Sequence, residues 1–272
     1  MRAVQLLIGD ALGALVALLG ALSPVWIVTA IALVLTIPIL LVVRALTDQE
    51  RVRTTKNTIK GHLLELWLFR DDTRTVLGAQ GRILRLNARY VLLTLKPFLV
   101  LAIPMALILI PLEGWFGLRA LRVGDSATVV VTAAGLGDPD QASIGVSDGL
   151  RVETPALRIP ATREIAWRIR ALRQGTHSVW IDVGGRRLEK QVAVKEGLAS
   201  ISPARVSSAS WQTVLYPAEP PLPPGTGIDR IEVGYPSASL NVFGLHMHWL
   251  IYFVLATVIF MFALRGVLRV EI

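Results

Sequence analysis

The sequence predicts an α-helical membrane protein that carries a separate all-β domain. Three observations predict it. Of the 272 residues, 53% are hydrophobic and only 18% charged, and the mean hydropathy is +0.56, too apolar for an ordinary soluble domain. Three stretches are long and apolar enough to cross the hydrocarbon core of a bilayer. Between the second and third of them the hydrophobic period changes from helical to two, the signature of strands. The expected architecture is three transmembrane helices plus an N-terminal interfacial or re-entrant helix, a cytoplasmic helical hairpin and an extracytoplasmic all-β sandwich. With no cysteine in the chain, disulfides, thiolate nucleophiles and Cys-ligated zinc or iron–sulfur sites are excluded.

In chain order, residues 1–24 form the interfacial or re-entrant helix: the stretch is apolar, but Gln5, Gly9, Asp10, Gly13 and Gly20 interrupt it, and Ser23-Pro24 separates it from the first span. A fourth span is the alternative. A cleaved signal peptide fits less well, because no small-residue cleavage site is followed by a soluble domain. Residues 25–43 are free of charge and give roughly 28 Å of helix at about 1.5 Å per residue, enough for a span. The second span, 90–112, is broken only by Lys96, and the third, 245–264, contains no Asp, Glu, Lys or Arg. Residues 265–272 form a short tail.

Orientation is set by the basic residues. Residues 44–89 carry ten Lys or Arg against five Asp or Glu, a net +5, whereas residues 113–244 carry 14 against 13, a net +1. The positive-inside rule places 44–89 in the cytoplasm and 113–244 outside; the expected location is a bacterial inner (plasma) membrane, with 113–244 extracytoplasmic or periplasmic. Arg265 and Arg269 then also fall inside. The overall charge of +8 is thereby assigned to loops facing anionic headgroups, and a nucleic-acid partner loses its support.

Within 44–89, Thr47-Asp48-Gln49-Glu50 has the form of a capping box, so a helix is expected to start there. Ile59, Leu63, Leu66 and Trp67 recur at helical spacing, and Arg70-Asp71-Asp72-Thr73 offers a turn with an N-cap before a second helix. The result is a basic helical hairpin. It can be a solvated face that fixes topology, but the run Leu63-Leu64-Glu65-Leu66-Trp67-Leu68-Phe69 is more apolar than one face of a small hairpin can bury, which favours contact with lipid or protein.

Residues 113–195 alternate with period two at 127–132, 165–170, 179–183 and 191–194, punctuated by Gly137-Asp138-Pro139-Asp140, Asp148-Gly149, Gln174-Gly175 and Gly184-Gly185. That pattern gives an antiparallel sandwich, and residues 167–194 resemble the final strands of bacterial immunoglobulin-like modules, which implies a binding or spacer role. Residues 196–244 are expected as a Pro-rich linker with one strand near 228–233 and an extended strut at Pro217-Ala218-Glu219-Pro220-Pro221-Leu222-Pro223-Pro224. Trp115-Phe116 and Trp211 suit a membrane interface.

No enzyme signature is present. His177 sits at a turn and reads as solvated, and His246-Met247-His248 spaces its imidazoles by two, whereas a metal-binding helix prefers four. There is no phosphate loop, nucleophile elbow or His-Glu-x-x-His, and no cofactor is expected. Lys96 can snorkel to headgroups. Alternatively, with Thr94, Thr29 and Thr36, it wets a groove between helices kinked at Pro38, Pro97, Pro104 and Pro111.

This layout, with the boundary motif Leu46-Thr47-Asp48-Gln49-Glu50 leading into a basic hairpin between an inward and an outward span, resembles the YidC/Oxa insertase superfamily. The likeness is to its minimal three-span branch, which holds the archaeal YidC-like proteins and the insertase subunit of the ER membrane protein complex, over residues 1–115 and 245–272. The resemblance implies a factor that assists insertion or assembly of membrane proteins, with Arg51, Arg53, Lys56, Lys60 and Trp67 on the surface that receives a client or partner and Lys96 in the groove. Two features depart from that family: some 130 residues of β-rich chain separate the second and third spans, and the groove charge is Lys rather than Arg. The chain is also similar to uncharacterised bacterial inner-membrane proteins with an Ile59-Lys60-Gly61-His62-Leu63-Leu64-Glu65 type hairpin. The other reading is a non-catalytic accessory subunit of a larger membrane complex, docking a partner through its β domain.

Overall fold

The computed structural model describes residues 2–19, 22–46, 50, 54, 57–58, 61, 73–133, 142–268 and 270. Among the described residues are four long helices: α1 (Arg2–Leu19), α2 (Pro24–Leu46), α3 (Thr73–Phe116) and α4 (Trp249–Leu268). Three segments have the length and composition to cross a membrane, namely Pro24–Leu46, Pro97–Phe116 and Trp249–Leu268. The chain separates into two compact units, Val28–Ala106 with Ile251–Ile272, and Met1–Ile27 with Leu107–Leu250.

The first unit is helical. Ile39, Leu40 and Val43 of α2 are buried with Val270, and Leu101 and Met105 of α3 and Met261, Leu264 and Leu268 of α4 pack against them. Arg44 Nη1 donates to the Leu268 carbonyl at 3.3 Å, which satisfies one of the orphan acceptors at the end of α4. The 44 residues of α3 form one helix of roughly 66 Å. The sequence places a boundary at 89/90 between hairpin arm and span. None exists there, because residues 82–96 contain no Gly or Pro to stop the helix. The apolar part starts at Pro97, after Lys96, rather than at residue 90.

The second unit is built on β-structure. Its main sheet takes the order β3-β5-β1-β9-β8, from β3 (Leu150–Val152), β5 (Glu164–Ala171), β1 (Ser126–Thr132), β9 (Arg230–Val233) and β8 (Ala204–Val206), with β4 (Leu157–Ile159) also paired to β5. A three-stranded sheet holds β2 (Ser143–Val146), β6 (Gly175–Val183) and β7 (Arg186–Val194), and every strand pair is antiparallel. Both sheets bury their inward residues in one cluster: Val129 and Val131 of β1, Ile165, Trp167 and Ile169 of β5, Val179 and Ile181 of β6, and Leu188, Val192 and Val194 of β7. The outward partners on β5 include Arg168 and Arg170, both paired with Glu153.

Residues 196–244 are part of this unit rather than a linker. β9 continues the sheet beside β1, with Val129 opposite Val233, and β8 pairs β9. The Pro-rich segment is bolted down because Leu222 is fully buried and its N–H donates to Val206 O at 2.8 Å. Lys190, on the inward face of β7, is fully buried and donates to Glu219, to Ser202 O at 2.7 Å and to Gln191 O at 2.8 Å. Glu219 Oε2 in turn accepts the Gln191 N–H at 3.3 Å. Burial pulls the Lys190 pKa down, and the Glu219 charge opposes that pull. Arg205 adds a donor to Pro220 O at 2.7 Å. A segment with few N–H groups of its own is thus held through its carbonyls and one carboxylate.

The hairpin β10 (Leu240–Val242) and β11 (Leu245–Met247) pairs only with itself. Its second strand takes residues that the sequence assigns to the third span, so that helix starts at Trp249. His177, expected as solvated, is partly exposed and also makes a contact of its own. Its ring occupies the space over Gly149 where a Cβ would stand, and its Nε2 lies 2.8 Å from Arg173 O, a contact that requires the Nε2–H tautomer.

Candidate functional site

Of the residues expected to receive a client or partner, Arg51, Arg53, Lys56, Lys60 and Trp67 lie outside the described residues, as do 47–49 of the capping box and 134–140 of the β domain. Lys96 lies on α3, and its side chain, like that of Thr94, is outside the described part of the structure. The other groove groups are distinct from one another. Thr29 and Tyr252 share a hydrogen bond of 2.7 Å between α2 and α4. Thr36 is buried and spends its hydroxyl on Ala32 O at 2.6 Å, one turn back in its own helix. Thr257 Oγ1, also buried, has no partner among the described residues.

Pro97, Pro104 and Pro111 recur every seven residues along α3, which puts them near one face of the helix. Each lacks the N–H that would bond the carbonyl four residues earlier, so Leu93, Val100 and Leu107 lose their helical donor. Phe98, Leu99, Val100 and Ile103 on the same stretch are exposed. In lipid, such carbonyls need donors from water, a side chain or another chain.

The end of α3 that enters the β unit carries a polar cluster. Trp249 is buried and stacks at a tilt on Phe116, with ring centroids 6.3 Å apart, and its indole Nε1 donates to Glu113 Oε2 at 2.7 Å. Phe116 is accordingly a core residue rather than a membrane-facing one. His248 Nδ1 accepts the Leu250 N–H at 3.3 Å and so caps α4, which leaves its proton on Nε2, 3.9 Å from Glu113 Oε1. Neither His246, paired on β11 with Asn241, nor His248 belongs to a metal-type group, and no cluster of three His, Cys, Asp or Glu occurs among the described residues.

Beside Glu113 opens a cavity of about 580 Å³ within the β unit. Asp10 of α1, Ile110, Pro111 and Glu113 of α3, and Leu215 and Tyr216 after the 3₁₀ turn Trp211–Val214 line it. The chain's sequence cannot place Asp10 beside residue 216, because only the fold brings them together. The signal available was Asp10 itself, a carboxylate in the middle of an apolar helix.

No protein-family model, curated protein or solved structure matches this chain.

Proposed function

We propose that this multi-pass membrane protein assists the insertion or assembly of other membrane proteins in the manner of YidC/Oxa-type insertases, without cofactor and without catalysing a covalent step. The observation that carries the reading is α3. One uninterrupted helix, Thr73–Phe116, joins the basic hairpin region to a span whose apolar surface is exposed and whose backbone offers carbonyls freed at Pro97, Pro104 and Pro111. A client helix entering beside it would find apolar cover for its side chains and acceptors for polar groups, which lowers the cost of passing those groups through hydrocarbon. The hairpin residues Arg51, Arg53, Lys56, Lys60 and Trp67 receive the client in the cytoplasm, Lys96 serves the groove, and the β domain, an immunoglobulin-like sandwich, stands in the periplasm.

Depletion from cells is expected to impair insertion of a subset of helices, and reconstitution in liposomes with Lys96→Ala or without residues 50–72 to reproduce the defect. Normal insertion by both altered proteins would end the proposal. A second reading, a non-catalytic subunit docking a partner through the β domain, is favoured by Phe243. It is fully exposed at the β10–β11 turn and held at φ 51°, a left-handed conformation unusual for an aromatic residue. Stoichiometric partners recovered in mild detergent, and lost with Phe243→Ser, would support that reading over the first.

A further inference from the structure

The β10–β11 hairpin starts and finishes beside the ends of two membrane-crossing segments. Ala238, just before it, donates its N–H to Gly117 O at 2.9 Å, and Gly117 is the first residue past the apolar end of α3. Met247 closes the hairpin, and only His248 separates it from Trp249, where the membrane-crossing segment of α4 starts and whose ring stacks on Phe116. Leu240 is buried and fixes the base. All of these residues belong to one compact unit. With three residues in each strand at about 3.4 Å apiece, the tip stays within about 10 Å of that base, a distance comparable with the headgroup layer.

The tip itself is apolar, uncharged and strained. Residues 240–247 contain no Asp, Glu, Lys or Arg, and Phe243 and Leu245 are exposed. Val242 stands opposite Leu245, so Phe243-Gly244 is a two-residue turn, with φ at 51° and 87°. Two positive φ values are the pattern of a type I′ turn, whose first position suits Asn and strains a bulky residue. The Asn241 side chain holds the turn by accepting the Gly244 N–H at 2.9 Å. The fold buries none of the Phe243 ring, so strain is kept at a side chain that folding does not use. Such an outlier points to something outside the chain.

We infer that this hairpin is an interfacial anchor, lying on the leaflet that α4 enters with Phe243 and Leu245 sunk among the lipid headgroups and upper acyl carbons. Apolar side chains with no neighbouring charge to desolvate gain by entering that layer. Because one residue joins the hairpin to α4, its depth sets the level at which that helix begins. Cover by a protein partner, the second reading above, is the competing outcome.

With no cysteine in the chain, one introduced thiol carries an environment-sensitive fluorophore without background. The test labels full-length Leu245→Cys and, as reference, Arg186→Cys at the end of β7 away from the Leu121 bridge at Val194. Each protein is purified and returned to phosphatidylcholine nanodiscs containing lipid spin-labelled near the headgroup. The Leu245→Cys label should be quenched strongly and the Arg186→Cys label weakly. Adding Phe243→Asn to Leu245→Cys should shift the hairpin from lipid to water about tenfold, the low end of what burying such a side chain is worth, and so remove most of the quenching. Its unfolding midpoint should stay at or above that of Leu245→Cys, because Asn-Gly suits the turn. Phe243→Leu, which keeps an apolar group at the tip, should retain most of the quenching. Equal quenching at the two labelled positions, or quenching that survives Phe243→Asn, would overturn the anchor. So would a Leu245→Cys label that stays water-exposed in nanodiscs and is shielded only in native membranes, where a partner protein is present.

Discussion

The indole of Trp249, the first residue of α4, hydrogen-bonds the carboxylate of Glu113 near the end of α3 at 2.7 Å, although the two stand 136 positions apart in the chain. The residues between them are the β domain, so this contact closes the chain where it leaves one helix and enters the next. Trp249→Phe keeps an aromatic ring against Phe116 but removes the donor. It is expected to destabilise the β unit by about 1–3 kcal/mol, the cost of leaving a part-buried acceptor unmet. Glu113→Gln retains an acceptor and should cost less. Unfolding midpoints of the full chain in detergent measure both, and an unchanged midpoint for Trp249→Phe would show that the contact is no clamp.

The ion pair of Lys190 with Glu219 gives a second prediction. Removing one partner from a buried pair leaves a desolvated charge, so Glu219→Gln or Lys190→Met alone should destabilise by about 3–5 kcal/mol, whereas Lys190→Met with Glu219→Leu should recover most of the loss. The alternative, that the pair is a weak surface contact, predicts single losses under about 1 kcal/mol. Denaturant titration of the four proteins decides between them. Limited proteolysis should also cut residues 217–224 in the single variants first, because Glu219 is what fastens that segment to β7.

Gly145 on β2 stands opposite Trp180 on β6, and a Cβ at Gly145 would fall within the indole. The ring fills the place of the missing side chain, with the Arg187 guanidinium 5.1 Å from its centre. Gly145→Ala should therefore cost about 1–3 kcal/mol through overpacking, although alanine is ordinarily the better strand residue. Gly184→Ala in the β6–β7 turn, where φ is +52° and the space is open, should act through backbone strain alone and cost about 1 kcal/mol. Gly145→Ala with Trp180→Leu should recover stability that Gly145→Ala lacks, which a strain effect would not allow.

What the sequence made legible was whatever rests on local period. The charge-free windows became helices, and the alternation at 127–132, 165–170, 179–183 and 191–194 falls inside β1, β5, β6 and β7. Lys190 was not legible there, because the alternation read from the sequence starts only at residue 191; in the structure it shares the inward phase of β7 with Leu188, Val192 and Val194. Its partner was no more legible, since Glu219 lies 29 residues on, in a segment whose prolines suggest an exposed strut. The same holds for the cavity, where Asp10, Glu113 and Tyr216 meet only through tertiary packing. The span boundaries moved by a few residues because hydropathy does not register that Leu245–Met247 has a strand to pair with.

Tyr235 supplies an alkaline prediction. Its phenol is half-buried and accepts the Ala193 N–H at 2.9 Å, and burial pushes its pKa from 10.0 up to about 12. A folded-state pKa above the unfolded value means that the unfolded chain gives up its proton first. The contribution to stability is therefore complete below pH 10, falls between about 10 and 12, and is lost above, in total about 3 kcal/mol. Tyr235→Phe cannot ionise. It should be less stable than the parent at neutral pH by about 1 kcal/mol, because the Ala193 N–H loses its acceptor, yet it should lose less stability than the parent as pH rises from 10 to 12. Comparing the two proteins isolates the phenol from Lys190, whose pKa, lowered by burial, acts with the opposite sign and below its ordinary range. Unfolding free energies at pH 8, 10 and 11.5 give the slopes, and parallel slopes for the two proteins would mean that the phenol is already as easily ionised in the fold as in water.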